Sequence, residues 1–371
     1  MAEEQAPRDE QEKKREELTD LSKAAYQYLK ENMHKEAEAN FLQILDLEPE
    51  NNYALVGMGD LYRKKGDCKK AISYYRQCLD HHPDNNYALF GLADCYKAIR
   101  HYHKAIEVWE EYLKLDSENV TVLTRVADAH RKVQNLERSN ELYQNVLELE
   151  PDNPYALIGL GHLFYDFRRF EEAAKYWGRM YELKGERVDI RVLTSLGNCY
   201  RKLRQFDRAL EYFKKAMARE PNNFYALYGA ADCYRGLHRP KEALAHWNRI
   251  LLKDNKNKVI LTRAGDAYRS LGEMETAEEY YKKALDIEFD LYAVLGLALL
   301  EKARGRFEDA AETLETLVDK DPKNPRLYGE AARCLAEMNE PERAMAVIQE
   351  ARRKGVKNRR LTELEQELRS R

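Results

Sequence analysis

The chain has 371 residues, of which 44% are hydrophobic and 34% charged, and its 62 basic and 65 acidic side chains give a net charge of −3. So balanced a charge gives the chain as a whole no electrostatic reason to bind nucleic acid or an anionic membrane. No apolar run in the sequence approaches the roughly 20 residues that span a bilayer, so we predict no membrane segment.

Residues 1–17 are charged throughout and contain no apolar stretch typical of a secretion signal. We expect them to form a charged N-terminal tail.

From residue 18 onwards one pattern recurs with a period of about 34 residues. One copy contains Leu55, Gly59, Tyr62, Ala71, Tyr75 and Pro83, and the next contains Leu89, Ala93, Tyr96, Ala105, Trp109 and Ser117. Copies start near residues 18, 52, 86, 120, 154, 190, 224, 258, 291 and 325, which predicts about ten repeats over residues 18–358.

Within each copy, apolar, small and aromatic residues fall at intervals of four and three, which is one face of an α-helix. A second helix presents alanine and, four positions later, an aromatic residue. The small residue of the first helix would meet the alanine of the second, so that two antiparallel helices approach closely. The pattern therefore predicts an all-α chain of tandem helical hairpins. Residues 359–371 are amphipathic and charged, and we predict a C-terminal capping helix there.

The copies alternate between two types. One type opens with Tyr-Ala-Leu and carries all three tryptophans, Trp109, Trp177 and Trp247, at one position of its second helix. The other type has Leu-Thr in its first helix. The alternation indicates that a pair of hairpins was duplicated and that the tryptophans fill a wide packing interface. A two-repeat period along a bound ligand is a second interpretation, and the two are compatible.

This pattern closely resembles the tetratricopeptide repeat, W-x2-L-G-x2-Y…A-x3-F…P with a period of 34 residues. Ten copies in register make the resemblance specific and extend it over nearly the whole chain. It implies an α–α superhelix, or solenoid, of about ten stacked hairpins with a concave inner groove. Stability would then be a sum of contributions from single repeats and from neighbouring pairs.

In each first helix the second, fifth, ninth and twelfth positions share one face, which we call the groove stripe. The resemblance implies that this stripe lines the concave surface. The second position gives Tyr53, Tyr87, Tyr155, Tyr225 and Tyr292. The ninth gives Asp60, Asp94, Asp128, Asn198, Asp232 and Asp266. The twelfth gives Arg63, Lys97, Arg131, Arg201, Arg235, Arg269 and Lys302.

Two interpretations of this stripe stay open. Tyrosine and arginine are enriched in binding hot spots, so the stripe suits an extended peptide or a helix of a protein partner. The ninth and twelfth positions could instead pair with each other, or with adjacent repeats, as a self-contained ladder. The lysine and asparagine clamp by which some tetratricopeptide domains hold a carboxylate is not reproduced. The fifth position holds no lysine, and Arg125 and Arg263 at the sixth position lack a basic companion.

The sequence favours no catalytic or metal chemistry. It contains no phosphate-binding glycine loop, nucleophile elbow or HExxH motif, so we expect no enzyme and no cofactor. The pairs His81-His82 and His101-x-His103 fall at opposite ends of one predicted helix, on the order of 20 Å apart, which is too far for one metal ion. Four of the six cysteines share one repeat position and indicate reduced packing thiols: Cys95, Cys199, Cys233 and Cys334. Reduced thiols lead us to expect a cytoplasmic protein.

We therefore predict a non-enzymatic scaffold or adaptor that binds a protein or peptide partner in the groove, without a membrane partner and as a monomer. An RNA-binding helical-repeat protein and a self-associating structural array are the alternatives. The acidic neighbours of the basic stripe positions and the negative net charge disfavour RNA. The charged C-terminal helix disfavours open-ended stacking.

Overall fold

The computed structural model describes residues 6–370, with the side chains of residues 14–369. Regular structure in this part of the chain is α-helical apart from one 3₁₀ turn and includes no strand, which confirms the predicted all-α array of helical hairpins. The chain divides into two units, residues 1–188 and 189–371. The division comes directly after residues 184–187, where additional residues interrupt the repeat period.

The first unit consists of five helical hairpins. Its helices are α1 (Ala6–Lys30), α2 (His34–Leu47), α3 (Asn52–Lys64), α4 (Cys68–His81), α5 (Asn86–Ala98), α6 (Tyr102–Leu115), α7 (Val120–Lys132), α8 (Leu136–Leu149), α9 (Pro154–Asp166) and α10 (Phe170–Lys184), followed by the 3₁₀ turn Gly185–Arg187. Because α1 begins at Ala6, residues 6–17 of the expected N-terminal tail are helical. Residues 1–5 of that tail lie outside the described residues.

The second unit consists of five more hairpins and one further helix. Its helices are α11 (Ile190–Lys202), α12 (Phe206–Arg219), α13 (Phe224–Gly236), α14 (Pro240–Leu251), α15 (Lys258–Ser270), α16 (Met274–Ile287), α17 (Leu291–Ala303), α18 (Phe307–Lys320), α19 (Pro325–Glu337), α20 (Pro341–Arg353) and α21 (Arg359–Ser370). Helix α21 packs against α19 and α20. It buries Leu361, Leu364 and Leu368 there, and its buried Glu365 accepts hydrogen bonds from Arg352 and Arg369.

An asparagine or aspartate side chain starts every first helix from α3 to α19. The Asn51 Oδ1, for example, accepts the backbone N–H of Ala54 at 3.1 Å, which satisfies a donor that the helix itself leaves open. The caps are Asn51, Asn85, Asn119, Asn153, Asp189, Asn223, Asn257, Asp290 and Asn324. These caps define where each hairpin begins.

The turn inside each hairpin contains one residue with positive φ. These residues are Asn32, Gly66, Arg100, Gln134, Arg168, Arg204, His238, Gly272, Gly305 and Asn339, with φ between 57° and 83°. A side chain larger than hydrogen costs roughly 1 kcal/mol in this conformation. Backbone hydrogen bonds hold the turn, such as the one from His101 N–H to the carbonyl of Tyr96 at 2.8 Å. The free energy gained when the hairpin closes offsets the conformational cost of the positive φ.

Aromatic rings from the second helices occupy gaps left by glycines. A Cβ atom at Gly59 would lie 2.4 Å from Tyr75 Cε1, and one at Gly91 of the next hairpin 2.3 Å from Tyr75 Cζ. Phe213 lies between Gly197 and Gly229 in the same way. Tyr75 and Phe213 are fully buried. The gap lets two consecutive first helices and the second helix between them meet at one ring.

The gap explains the alternation of repeat types. Where the preceding hairpin carries tyrosine or phenylalanine, the sixth position of the first helix is glycine: Gly57, Gly91, Gly159, Gly229 and Gly296. Where it carries tryptophan, that position is Arg125, Ser195 or Arg263. Trp109, Trp177 and Trp247 are buried, as a packing role requires.

Five of the six cysteines, all except Cys68, are buried, and none of the six forms a disulfide. Burial raises the pKa of Cys233 to about 12, and the pKa of Cys95 to about 12 with a contribution from Cys68. Because the thiolate is the reactive form, these thiols are chemically inert at neutral pH.

We expect Gly91→Ala to lower the midpoint of unfolding, because the new methyl group would collide with the Tyr75 ring inside a packed interface. Overpacking of this kind costs about 1–3 kcal/mol. Gly178→Ala is the matched control, since no atom lies within 4 Å of its added Cβ. In a helix interior that change should stabilise by about 0.5–1 kcal/mol. Urea unfolding followed by circular dichroism would measure both, and shifts of the same sign would contradict the packing argument.

We expect the native protein to show one fast thiol when titrated with a disulfide reagent such as DTNB. Cys68 is the only cysteine that is partly exposed, and the remaining five should react only after unfolding. Cys68→Ser should remove the fast phase and leave the slow phase unchanged. A second fast thiol in the folded wild type would show that one of the buried positions opens readily.

Candidate partner-binding face

Several pairs of consecutive first helices pack against one another within each unit, and ion pairs of their side chains join α5 to α7, α13 to α15 and α17 to α19. The packed pairs are α1 with α3, α3 with α5 and α7 with α9 in the first unit, and α11 with α13 and α15 with α17 in the second. Second helices of consecutive hairpins make no comparable contact in the described residues. Equivalent positions of the groove stripe therefore follow one another along each unit.

The second-position tyrosines are the most exposed aromatic side chains of residues 14–369. Their exposed fractions are 63% for Tyr53, 79% for Tyr87, 74% for Tyr155, 67% for Tyr225 and 56% for Tyr292. A tyrosine ring that stays in water leaves a large apolar area unburied. These rings contribute little to the fold and are available to another molecule.

The fifth position forms a less polar strip beside the tyrosines. Val56 is buried, and the hydroxyl groups of Thr124, Thr194 and Thr262 donate to carbonyl groups of their own helices. The remaining members are half-buried aromatic or aliphatic residues: Phe90, Ile158 and Tyr228. The guanidinium groups of Arg125 and Arg263 lie 4.9 Å from the ring centroids of Phe90 and Tyr228, respectively.

In the first unit the charged positions of the stripe pair with one another. Asp60 Oδ1 accepts from Arg63 Nη2 at 2.8 Å and from the buried hydroxyl of Tyr75 at 2.7 Å. Arg125 Nη1 lies 2.6 Å from Asp94 Oδ1. Each carboxylate thus has a basic partner, within its own hairpin or from the next one.

Asp128 joins two hairpins of the first unit. Its Oδ1 accepts from Arg131 Nη2 at 2.8 Å, and Lys97 Nζ of the preceding hairpin lies 3.3 Å from its Oδ2. Burial alone would raise the pKa of this carboxyl, but the hydrogen bonds and charges of Arg131 and Lys97 lower it below its usual value. Arg131 also bonds to Asp166. Asp128 is therefore ionised at neutral pH and held in place.

In the second unit three arginines bind the carboxylate of Asp232. Arg201 Nη1 donates to its Oδ2 at 2.7 Å, Arg235 Nη2 to its Oδ1 at 3.1 Å, and Arg263 bonds to the same Oδ1. Arg201 Nη2 also donates to Asn198 Oδ1 at 3.1 Å. Asp232 is almost buried, with 9% of its side chain exposed.

Asp266 and Lys302 complete the stripe of the second unit. Asp266 Oδ1 accepts from the Tyr281 hydroxyl at 2.8 Å and lies 3.5 Å from Arg269 Nη2. Lys302 Nζ donates to Glu330 Oε2 at 2.9 Å. In both units the ninth and twelfth positions thus form a ladder of internal pairs, while the tyrosines remain exposed beside it.

A depression of about 680 Å³ lies at the N-terminal end of the first unit. Its walls include the exposed rings of Tyr53 and Tyr87, and its floor includes Val56 and Asp60. The half-buried Tyr26 donates its hydroxyl to the carbonyl oxygen of Tyr53 at 2.9 Å. Burial and the nearby Asp60 carboxylate raise the pKa of Tyr26, so this hydroxyl stays protonated. The depression has room for one side chain of a partner in contact with the exposed rings of Tyr53 and Tyr87.

Two residues of the first unit that the repeat pattern did not predict lie in or beside the ladder: His162 and Asp166. His162 occupies the ninth position of its hairpin, where its ring packs edge-on against Trp177 at 5.2 Å. Burial, together with Arg131, lowers the pKa of His162, so it is neutral at pH 7. The acid that binds Arg131 is Asp166, one residue beyond the twelfth position. The sequence did contain an indication of this pair. The ninth position of this hairpin holds a histidine instead of an aspartate, so the nearest carboxylate for Arg131 in that helix is Asp166.

The two histidine pairs of the first unit make separate contacts. His82 Nε2 lies 2.8 Å from the carbonyl oxygen of Glu50, and the ring of His101 stacks on Tyr96. Across the described residues, no three His, Cys, Asp or Glu side chains come together as a metal site. None of the helices in that part of the chain is both long enough and apolar enough to cross a bilayer.

Comparison with solved structures gives several partial likenesses. The MamA protein is 25% identical over 47% of this chain and 94% of that chain, with a TM-score of 0.43. A tetratricopeptide repeat protein from Parabacteroides merdae is 18% identical over 74% and 94%, with a TM-score of 0.41. PilF of Pseudomonas aeruginosa is 17% identical over 57% and 96%, with a TM-score of 0.48. None of the curated proteins matches the chain.

Comparison with family models gives matches in both units, and each of the four matching models describes the tetratricopeptide repeat. One model matches residues 23–77, 56–120 and 124–186. Three others match residues 190–223, 260–291 and 301–368. Together these ranges cover most of the chain, and the repeats they describe are the helical hairpins of the fold. The chain therefore belongs to the tetratricopeptide repeat family.

Proposed function

We propose that this protein is a non-enzymatic scaffold that holds an extended segment or a helix of a partner protein against the groove stripe. The observation that carries the proposal is the row of exposed second-position tyrosines. Tyrosine combines a large contact area with a small loss of side-chain entropy on binding, and it is enriched in binding hot spots. Neither unit needs these rings for its own packing.

The internal ladder supports the same function. Aspartates and arginines that are already bonded to each other, such as Asp60 with Arg63, do not have to be ordered when a partner arrives. Oxygen and nitrogen atoms that are not used inside the ladder can still bond to the backbone of a peptide. The stripe thus combines a fixed polar layer with adaptable aromatic contacts.

We extend the proposal to chemistry and location. His82 is engaged in a backbone contact, His101 is stacked on Tyr96, and five of the cysteines are buried, which supports a binding role without catalysis or cofactor. Six cysteines that form no disulfide support a reducing compartment such as the cytoplasm.

We expect two double variants, Tyr87→Ala with Tyr155→Ala and Tyr225→Ala with Tyr292→Ala, to weaken the retention of a native partner. Loss of two hot-spot tyrosines should cost about 2 kcal/mol or more, which is roughly 30-fold in affinity. The measurement is affinity capture from native cells followed by quantitative mass spectrometry, with circular dichroism to check the helical content.

The matched control is Leu115→Ala with Leu252→Ala. These two leucines are also exposed, with exposed fractions of 46% and 86%, but they lie at the ends of second helices, off the stripe. Partners that bind the stripe should be retained by the control and lost from a tyrosine variant. If the leucine variant loses the partners and both tyrosine variants keep them, the stripe is not the binding face.

A further inference from the structure

The surroundings of Asp232 differ from those of the equivalent residue in the first unit. Asp94 occupies the same repeat position, and one arginine, Arg125, bonds to it. Asp232 is bonded to Arg263, the equivalent of Arg125, and in addition to Arg201 and Arg235. Three guanidinium groups therefore share one carboxylate in the second unit.

Two substitutions in the preceding hairpin account for the bond from Arg201, while Arg235 bonds to Asp232 within its own helix. In the first unit Arg63 is held by the Asp60 carboxylate and by the hydroxyl of Tyr75. At the matching positions the second unit has the neutral Asn198 and Phe213, which has no hydroxyl. Arg201 keeps a hydrogen bond to Asn198 and donates to the carboxylate of Asp232 in the next hairpin.

The stripe of the second unit, taken together with the sixth-position arginine beside it, consequently carries excess positive charge. In the first unit, Arg63, Lys97, Arg125 and Arg131 face Asp60, Asp94, Asp128 and Asp166, so the charges balance. In the second unit, Arg201, Arg235, Arg263 and Arg269 face Asp232 and Asp266 alone. Lys302 is balanced by Glu330.

A cavity of about 420 Å³ opens beside this cluster. Its lining includes Arg235, Arg263 and Arg269, together with Asp266 and Trp247. The side chain of Arg235 is 56% exposed, so its guanidinium group can take a second carboxylate without leaving Asp232. Arginine presents paired donors that match a carboxylate, and such bonds are stronger than those between neutral groups.

We propose that the second unit binds an acidic peptide segment, with aspartate or glutamate side chains of the partner at Arg235, Arg263 and Arg269. This inference rests on the proposed scaffold function and specifies the chemistry of the partner. Tyr225 lies two helical turns before Asp232 on the same first helix, so a peptide could place an acidic side chain in the cavity while its backbone passes the exposed ring. The excess charge is confined to one stretch of the stripe. Binding of a nucleic acid backbone, in contrast, requires basic residues that continue along the whole groove.

The test uses the full chain and a fluorescein-labelled deca-glutamate peptide, with binding measured by fluorescence anisotropy in physiological salt. We expect Asn198→Asp, which adds one carboxylate and so lowers the excess from two positive charges to one, to weaken binding about 3–10-fold. Arg235→Gln should weaken it by a similar factor, about 3–10-fold. The control is Arg208→Gln, which removes the same charge from a second helix of the same unit, where Arg208 donates to the neutral Gln205 and Tyr200 off the stripe, and it should change the affinity less than about 2-fold.

Three results would overturn the inference. They are no binding of deca-glutamate by the wild type, equal weakening by Arg208→Gln and Arg235→Gln, and tighter binding of a deca-adenylate oligonucleotide than of deca-glutamate. Circular dichroism of each variant separates loss of binding from loss of fold. The tyrosine variants test the scaffold function separately. If these variants lose a native partner and the wild type does not bind deca-glutamate, the scaffold function is supported and the acidic-peptide site is refuted.

Discussion

A single aromatic ring held between two first helices is the contact on which the rest of the structure depends. Tyr75 reaches from its own hairpin to Gly91 of the next one, where an added methyl group would come within 2.3 Å of the ring. In a closely packed interface a ring in such a gap cannot slide, so it sets the relative height of the two first helices. Equivalent positions then follow one another along the unit, which places the second-position tyrosines on one face.

The same ring connects the core with the groove stripe. The hydroxyl of Tyr75 donates to Asp60, and that of Tyr281 donates to Asp266. Burial, together with the nearby carboxylate, raises the pKa of both tyrosines, so the hydroxyls remain donors. These two carboxylates are therefore oriented by side chains of the core. The exposed tyrosines beside them have no such support, and this difference separates the fixed part of the face from its adaptable part.

Much of this arrangement could be predicted from sequence because it repeats. Periodic small and aromatic residues predict the hairpins, and the second position predicts a row of tyrosines on the stripe. The partners inside the ladder could not be predicted. Whether Arg201 bonds within its own helix or to Asp232 depends on the distance between neighbouring hairpins, which the spacing along one helix does not contain. The positive φ of Arg100 and Arg204 could not be predicted from the sequence either. Local conformational preference favours glycine at such positions, and the closure of the hairpin overrides that preference.

Asn198 and Phe213 show how a repeat array can change its binding chemistry while its packing is preserved. Phe213 occupies the gap between Gly197 and Gly229 as Tyr75 does between Gly59 and Gly91, so the helices keep their contact. Asparagine has nearly the same shape as aspartate and still accepts from Arg201. What the pair removes is one hydroxyl and one negative charge, and neither is needed to close the hairpin. The released arginine adds its charge to the next hairpin, so the specificity of one stretch of the stripe is determined by residues in the hairpin before it.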